Sequence, residues 1–231
     1  MAALRTAIFM LVFYGATVPW TFVALIGAAI GERPMHAIIR GWVRFHDACV
    51  RYILGIVVRI EGEIPQGQYL FAAKHQSMFE TLHFLNSLDT PLPILKKELT
   101  DIPLWGWLAV RYGGISVDRS RGAATLRAML RRVRMLLATG RSVVIFPEGT
   151  RVIPGEMPPL QPGFAGLYKM FGLPVVPVAV KSGHIWPRHG WVKRPGTVTF
   201  RFFDPIPPGL PREDIEARVH RLINDLEIGG E

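Results

Sequence analysis

The segment Lys74-His75-Gln76-Ser77-Met78-Phe79-Glu80 contains the residue types best suited to acid–base chemistry. It follows a short apolar run, Tyr69 to Ala73, which predicts a buried strand, and its Ser77-x-x-Glu80 pattern predicts the start of a helix. A histidine at such a corner can point into a cleft while a carboxylate holds one of its ring nitrogens. His75 and Glu80 are therefore candidate catalytic residues, a general base and the acid that orients it.

The same corner also fits a purely structural interpretation. Ser77 would cap the helix, Glu80 would bond back to the cap residue, and His75 would be an ordinary loop histidine. The two interpretations are compatible, because Glu80 could approach both the helix start and the imidazole. Ser77 itself is interpreted as a helix cap and not as a nucleophile.

A second group of polar residues follows another predicted strand, Val143 to Phe146. Gly149 allows close approach of the backbone, Thr150 offers a hydroxyl, and Arg151 can bind a phosphate through two hydrogen bonds. Pockets in α/β folds collect at strand ends, so these residues and Glu148 are candidate substrate-binding residues. The structural alternative is a Pro-Glu-Gly turn that carries a Glu–Arg surface pair.

Further candidates for binding a phosphate or headgroup lie before and after the diglycine at 113–114. Lys97 precedes it, and the short strand that follows it ends in Asp118 and Arg119. Arg119 could contact an anionic group while Asp118 orients it. His184 and His189 have no carboxylate or cysteine at metal-ligand spacing, so no metal site is predicted.

Strand and helix patterns alternate from residue 57 onward, which predicts an α/β domain with helices around a mostly buried mixed sheet. The predicted strands are Val57–Glu61, Tyr69–Ala73, Ile94–Lys96, Ile115–Val117, Val143–Phe146, Val175–Val180 and Thr197–Phe202. The predicted helices are Ser77–Leu88, Ala123–Thr139, Gly163–Phe171 and Arg212–Leu226, the last with an apolar face.

The stretch from Ala7 to Ile30 contains no charged residue and has Pro19 at its middle. A single transmembrane helix fits its length at about 1.5 Å per residue. The proline allows another interpretation, two short helices that each cross half of the hydrocarbon. A cleaved signal peptide fits less well, because the apolar run is long and only Arg5 precedes it.

The next segment, about Met35 to Val58, has helical periodicity with an apolar stripe opposite a charged one. The apolar stripe is Ile38, Trp42, Phe45, Cys49, Ile53 and Ile56, and the charged stripe is Arg40, Arg44, Asp47 and Arg51. It predicts either a helix packed on the catalytic domain or an interfacial helix whose arginines meet lipid phosphates. We therefore place a membrane-anchoring segment at 1–58 and the α/β domain at 59–231.

The composition of the 231-residue chain is both apolar and basic. Hydrophobic residues make up 49% of it, the formal net charge is +9, and the mean hydropathy is +0.25. This combination suits a protein on an anionic membrane. Nucleic-acid binding is not predicted, because the chain has no zinc spacing, RNP-like motif or recognition-helix pattern. The single cysteine, Cys49, excludes an intrachain disulfide and favours a reducing compartment.

Taken in order, these motifs resemble those of the PlsC-like glycerolipid acyltransferases, the lysophosphatidic acid acyltransferases. The first motif of that family is usually Asn-His-Gln-Ser-x-x-Asp; here Lys74 replaces the asparagine and Glu80 the aspartate. The other three motifs match Gly114 to Arg119, Phe146 to Arg151 and Val175 to Val180. The resemblance covers about residues 57–180.

The resemblance implies transfer of a fatty acyl chain from acyl-CoA or acyl-carrier protein to lysophosphatidic acid, which gives phosphatidic acid. His75 would be the base, Glu80 would orient it, and Arg151 with Gly149 and Thr150 would bind the acceptor phosphate. No cofactor is expected. A covalent acyl-enzyme is not expected either, since there is no Gly-x-Ser-x-Gly motif and the single cysteine lies in the amphipathic helix. Membrane lipids are the expected partners, with acyl-carrier protein as a further candidate. The expected location is the cytoplasmic face of the bacterial inner membrane.

Two alternatives to this function remain open at the level of sequence. The same chemistry could act on another lysolipid, which predicts weak dependence on Arg151. A non-catalytic lipid-binding membrane protein would instead tolerate His75→Ala.

Overall fold

The computed structural model describes residues 1–116 and 131–228, and these residues form one mixed seven-stranded sheet with helices around it. The strands are β1 (Ile56–Glu61), β2 (Leu70–Ala73), β3 (Leu92–Leu95), β4 (Ile115–Ser116), β5 (Val143–Ile145), β6 (Val175–Lys181) and β7 (Gly196–Phe202). Their order is β1-β7-β6-β2-β5-β3-β4. Every neighbouring pair is parallel except β6 with β7, which is antiparallel. The predicted fold class is confirmed.

Helices pack on both faces of the sheet, and three of them precede its first strand in the chain. They are α1 (Ala2–Phe9), α2 (Gly15–Ile30), α3 (Glu32–Cys49), α4 (Phe79–Ser87), α5 (Lys97–Thr100), α6 (Trp105–Tyr112), α7 (helical over residues 131–137), α8 (Gly163–Phe171), α9 (Arg212–Ile223) and α10 (Asp225–Ile228). Two π-helical turns, Met10–Tyr14 and Val50–Leu54, follow α1 and α3.

The central strands are buried on both faces, as their continuous apolar sequences require. All of β2 and β5 and the first six residues of β6 are buried. On one face they pack against the N-terminal helices and α4, in an apolar cluster that includes Phe9, Val43 and Phe84. On the other face they pack against α7, α8 and α9, through residues such as Phe164 and Val219. The parallel strands β2 and β5 thus end side by side, which brings the loops after them together.

Most predicted elements are confirmed with boundaries shifted by one or two residues, but two details were wrong. The last helix does not run through to residue 226, because α9 ends at Ile223 and a short separate helix, α10, follows Asn224. Helices α5 and α6 were missed, since four residues are too few for a periodic pattern and α6 is rich in tryptophan and glycine. The predicted strand residue Val117 and most of the predicted helix 123–139 lie outside the described residues.

Pro19 does not divide the apolar segment into two short helices. Ala2–Ile30 is one continuous helix of 29 residues, and by length and composition it could cross a membrane. The proline lies inside α2, five residues after the π-helical turn Met10–Tyr14. One side of this helix is packed on the rest of the protein, because Thr6, Phe9 and Phe13 are buried. The other side exposes large apolar side chains: Leu4, Leu11, Val18, Phe22, Val23, Ile26 and Ile30.

The amphipathic segment also differs from its prediction at two places. Its helix stops at Leu54, and Gly55 turns the chain into β1 with a φ of +71°. Asp47 does not lie on an exposed charged face, since its carboxylate accepts hydrogen bonds from His83 and Asn86 of α4. This side of α3 is therefore packed on α4, and the neighbouring residue His46 is buried as well.

Candidate active site

His75 lies in the loop between β2 and α4, at the strand-to-helix corner that the sequence predicted. Its ring is stacked on that of Phe146, with centroids 4.1 Å apart and an interplanar angle of 24°. Its Nδ1 lies 3.0 Å from Oε1 of Glu80. Within residues 1–116 and 131–228, Nε2 has no hydrogen-bond partner, and the side chain is 17% exposed. One ring nitrogen is held and the other is open to a substrate.

Glu80 is completely buried, and both of its oxygens accept several hydrogen bonds. Oε1 accepts from His75 Nδ1 and, at 2.6 Å each, from the main-chain N–H groups of Gln76 and Ser77. Oε2 accepts from the hydroxyls of Ser77 at 2.5 Å and Ser182 at 2.9 Å. The carboxylate therefore binds both the helix start and the imidazole, so the capping and the catalytic interpretations hold together.

These hydrogen bonds decide the charge of Glu80 and the tautomer of His75. Burial by itself would raise the pKa of Glu80, but the hydrogen bonds from His75 and Ser77 outweigh it and hold that pKa below the usual range. An ionised carboxylate can only accept, so Nδ1 of His75 carries the proton and donates it to Glu80. Nε2 then has a free lone pair, which is the state that a general base needs.

The loop after β5, residues 146–151, is attached directly to the backbone of His75. The N–H of His75 donates to Oε2 of Glu148 at 3.0 Å, and its carbonyl accepts from the N–H of Val152 at 2.7 Å. Gly149 makes the turn with a φ of +70°, and a Cβ at this position would lie 2.7 Å from Cγ of Gln161. Only glycine fits both this conformation and this space.

Arg151 is half-buried beside the loop, whereas Thr150 is exposed. In the part of the chain that the structure describes, the guanidinium of Arg151 has no carboxylate or other hydrogen-bond partner. Arg188 lies next to it, because its Nη1 donates to the main-chain carbonyl of Arg151 at 2.6 Å. Two cations with no carboxylate partner among the described residues provide a suitable site for an anionic group.

Comparison with known proteins assigns the chain to a family. Residues 55–181 match the family model described as Acyltransferase. The chain is 34% identical over 203 residues to a 1-acyl-sn-glycerol-3-phosphate acyltransferase of Pseudomonas aeruginosa, which covers 85% of this chain and 78% of that protein. It is 28% identical over 211 residues to the Cocos nucifera protein of the same name, which covers 89% of this chain and 68% of that protein.

The chain belongs to the acyltransferase family.

A solved structure shares the fold of this acyltransferase over nearly the whole chain. It is the crystal structure of the 1-acyl-sn-glycerophosphate (LPA) acyltransferase PlsC from Thermotoga maritima, with a TM-score of 0.76 and 22% sequence identity. The match covers 99% of this chain and 97% of that one. The resemblance inferred from the four motifs is thus confirmed at the level of family and fold.

The structure brings some of the predicted site residues of the acyltransferase together and leaves others apart. His75, Glu80 and the loop containing Gly149, Thr150 and Arg151 are neighbours. Lys97 is instead on α5, where it forms an ion pair with Asp101 at 2.5 Å. Arg119 lies outside the described residues.

Glu148 differs from the expectation that it would face a substrate. It is buried, with 2% exposure, and Lys74 and the N–H of His75 occupy both of its oxygens. A substrate would therefore not reach this carboxylate without breaking an ion pair.

Sequence reasoning missed several residues that hold the acyltransferase site. Ser182 donates to Glu80, and it directly follows β6, a parallel neighbour of β2, so the rule that sites collect at strand ends could have found it. Arg188 carried no such signal, because it lies in a loop between β6 and β7. Asn224, which accepts from Lys74, lay within the last turn of the predicted helix Arg212–Leu226.

Proposed function

We propose that this acyltransferase transfers a fatty acyl chain from a thioester, acyl-CoA or acyl-carrier protein, to the free hydroxyl of lysophosphatidic acid and forms phosphatidic acid. The observation that carries the proposal is the His75–Glu80 pair, with Nδ1 held at 3.0 Å and Nε2 open. The names of the Pseudomonas aeruginosa and Cocos nucifera relatives support lysophosphatidic acid as the acceptor.

The reaction needs one base and no covalent intermediate with the enzyme. Nε2 of His75 takes the proton of the acceptor hydroxyl as its oxygen attacks the thioester carbonyl carbon. When the tetrahedral intermediate collapses, the carbon–sulfur bond breaks and the thiolate leaves with its electron pair. The imidazolium then gives its proton to the sulfur, which yields the ester and a free thiol. Glu80 stabilises the imidazolium between these steps.

The acceptor's phosphate is assigned to Arg151, with Arg188 beside it. Guanidinium groups bind phosphate oxygens through two parallel hydrogen bonds, and neither side chain is neutralised by a carboxylate in the described residues. Gly149 and Thr150 lie at the same turn and would contact the same group. No metal or cofactor takes part in the proposed step.

Residues 1–58 are proposed as the part that holds the enzyme at a membrane, with residues 59–231 as its catalytic domain. The continuous apolar helix Ala2–Ile30 and the net charge of +9 support this assignment. Together they favour a bilayer with anionic lipids. The cytoplasmic face of the bacterial inner membrane is the proposed location, where both substrates would be accessible.

The test is thiol release by detergent-solubilised protein from acyl-CoA and from acyl-carrier protein, with and without lysophosphatidic acid. Release should depend on the acceptor, and His75→Ala should lower kcat by about 10²–10⁴, the usual contribution of a general base. The matched control is His189→Ala, which replaces an exposed histidine in the loop between β6 and β7 and should keep full activity.

Other results would contradict the proposal in different ways. Release that ignores the acceptor would indicate a thioesterase. Acceptor-dependent release only with a zwitterionic lysolipid, unchanged by Arg151→Ala, would move the function to another lysolipid. Full activity of His75→Ala would exclude the proposed base.

A further inference from the structure

Lys74, which directly precedes His75, is completely buried, and its ammonium group is fully hydrogen-bonded. Nζ donates to Oε1 of Glu148 at 2.8 Å, to the carbonyl of Glu156 at 2.7 Å and to Oδ1 of Asn224 at 2.6 Å. A buried ammonium is stable only when it is paired and all three of its N–H groups find acceptors. Each of the three acceptors is thus needed to keep Lys74 in place.

Lys74 in turn fixes the carboxylate of Glu148, which holds the backbone of His75. The second oxygen of Glu148 accepts the N–H of His75 at 3.0 Å. Burial raises the pKa of Glu148, and the Lys74 ammonium opposes that rise. If Lys74 moves away, Glu148 is more easily protonated and its hydrogen bond to His75 weakens.

Asn224 is oriented by the end of the helix that it terminates. Its Nδ2 donates to the carbonyl of His220 in the last turn of α9, at 2.7 Å. This bond fixes the amide so that Oδ1 faces Lys74. Asn224 is fully buried, so both contacts are made in the protein interior.

A second contact joins the C-terminal segment to the residue on the other side of His75. Oε1 of Gln76 accepts from the N–H groups of Ser182 and Gly183, at 2.9 and 3.0 Å, so its Nε2 is left to donate to Glu227 at 2.6 Å. The other oxygen of Glu227 accepts the N–H of Gly155. Glu227 therefore connects the loop that carries His75 with the segment after the 146–151 loop.

We propose that Asn224 and Glu227 are positioning residues for His75, so that the C-terminal segment 224–227 is part of the acyl-transfer machinery. The inference rests on the proposed role of His75 as the base. Both residues lie beyond residue 181, where the match to the family model ends. They touch no reacting atom; they act through Lys74 and Gln76, the two neighbours of His75. Small displacements of a catalytic group are costly, so this support should be visible in kcat.

The first test compares Asn224→Leu, which removes the acceptor for Lys74, with Asn224→Asp, which keeps one. Asn224→Leu should lower kcat about 10-fold with the KM of both substrates changed less than about 2-fold, whereas Asn224→Asp should stay within about 3-fold of the wild type. Circular dichroism at the assay temperature fixes the folded fraction for each rate. Arg221→Leu, at an exposed position of α9, is the matched control and should change nothing.

The second test separates positioning from general support of the fold. Lys74→Asn introduces the residue that the resembling family usually has, and its shorter side chain no longer reaches Asn224. In that background Asn224→Leu should change kcat by less than about 2-fold, because the contact it removes is already gone. A purely structural role would lower the rate equally in both backgrounds and would overturn the proposal.

Glu227 gives an independent pair of variants. Glu227→Gln keeps an acceptor for Gln76 and should retain most of the activity, whereas Glu227→Leu should lower kcat without a matching change in KM. Full activity of both leucine variants, in a protein that His75→Ala inactivates, would refute the positioning role alone. Full activity of His75→Ala would refute the proposed function as well.

Discussion

At the scale of single residues, the candidate active site depends on the hydrogen bonds that the buried carboxylate of Glu80 accepts. Glu80 accepts five of them, from His75, Gln76, Ser77 twice and Ser182. The methylene that distinguishes it from the aspartate of the resembling motif does not separate it from the imidazole, since the distance is 3.0 Å. The same contacts that fix the tautomer of His75 also hold the start of α4.

Replacing Glu80 by glutamine should therefore change both stability and its dependence on pH. The folded-state pKa of Glu80 is below that of a free glutamate, which is about 4.3. Its stabilising effect is therefore complete above the free value and is lost as the pH falls from there through the lower folded-state pKa. Glu80→Gln should lower the free energy of unfolding by about 1–3 kcal/mol at pH 7, because some of the groups that donate to Glu80 would then face the NH₂ group of the glutamine amide. The variant should also lose less stability than the wild type between about pH 5 and pH 3.

Urea unfolding of both proteins in detergent at several pH values measures this. Glu98→Gln, on the short helix α5, is a control without a described ion pair of its own. Parallel stability curves for the wild type and Glu80→Gln would contradict the assignment of an ionised Glu80.

At the scale of elements, the sheet places two loops side by side, and hydrogen bonds between the loops stabilise both. β2 and β5 are parallel neighbours, so the loop with His75 and the loop with Arg151 leave the sheet at the same edge. Gly149 turns the second loop tightly enough for Val152 to donate to the carbonyl of His75. The conformation of this glycine thus affects a residue 74 positions earlier in the chain.

Gly149→Ala should lower stability and activity together. Alanine at a φ of +70° costs roughly 1–2 kcal/mol, and its Cβ would lie 2.7 Å from Gln161. The shifted loop should lower kcat/KM by at least about 10-fold, since Arg151 and the backbone of His75 both move. Gly172→Ala is a matched control: its φ is +63°, but no atom lies within 4 Å of the added Cβ.

Differential scanning calorimetry and steady-state kinetics separate the two variants. Both should lose thermal stability because of their positive φ, Gly149→Ala the more because its Cβ also meets Gln161, and only Gly149→Ala should lose activity. An equal loss of activity in both would mean that the loop geometry does not control the site.

At the scale of the whole molecule, the N-terminal helix has one buried side and one exposed apolar side. Thr6, Phe9 and Phe13 are buried against the catalytic domain, where Phe9 packs on Trp186 with ring centroids 5.5 Å apart. The other side of the same helix exposes Phe22 and Ile26, at 54% and 63%. The face that packs on the rest of the protein and the face proposed to contact a membrane are therefore different.

Substitutions on the two faces should have separate effects. Phe13→Ala should destabilise the fold by about 3–5 kcal/mol, the usual cost of emptying a buried phenylalanine site. Replacing both Phe22 and Ile26 by lysine should leave the fold intact but weaken membrane association. A lysine at the centre of a membrane helix costs about 2.5–3.5 kcal/mol, and the cost falls toward the helix ends. Flotation with vesicles that contain anionic lipid and thermal unfolding in detergent measure the two effects.

Unchanged flotation of the double lysine variant would contradict a membrane role for the exposed face. A large loss of thermal stability in the same variant would show instead that this face is part of the fold.

Apolar runs and capping patterns are local, so the order of the motifs and most of the strands could be predicted from the sequence. His75, Glu80 and Arg151 were candidate site residues on that basis alone. The side chains that surround them could be known only from the folded chain. Glu148 is buried and paired with Lys74. Asn224 and Glu227, near the C-terminal end of the chain, form hydrogen bonds with Lys74 and Gln76 on either side of His75. Such contacts depend on the register and order of the strands. The acceptors of a buried ammonium are the groups that the fold places within hydrogen-bond distance of it, and these groups can be far apart in the sequence.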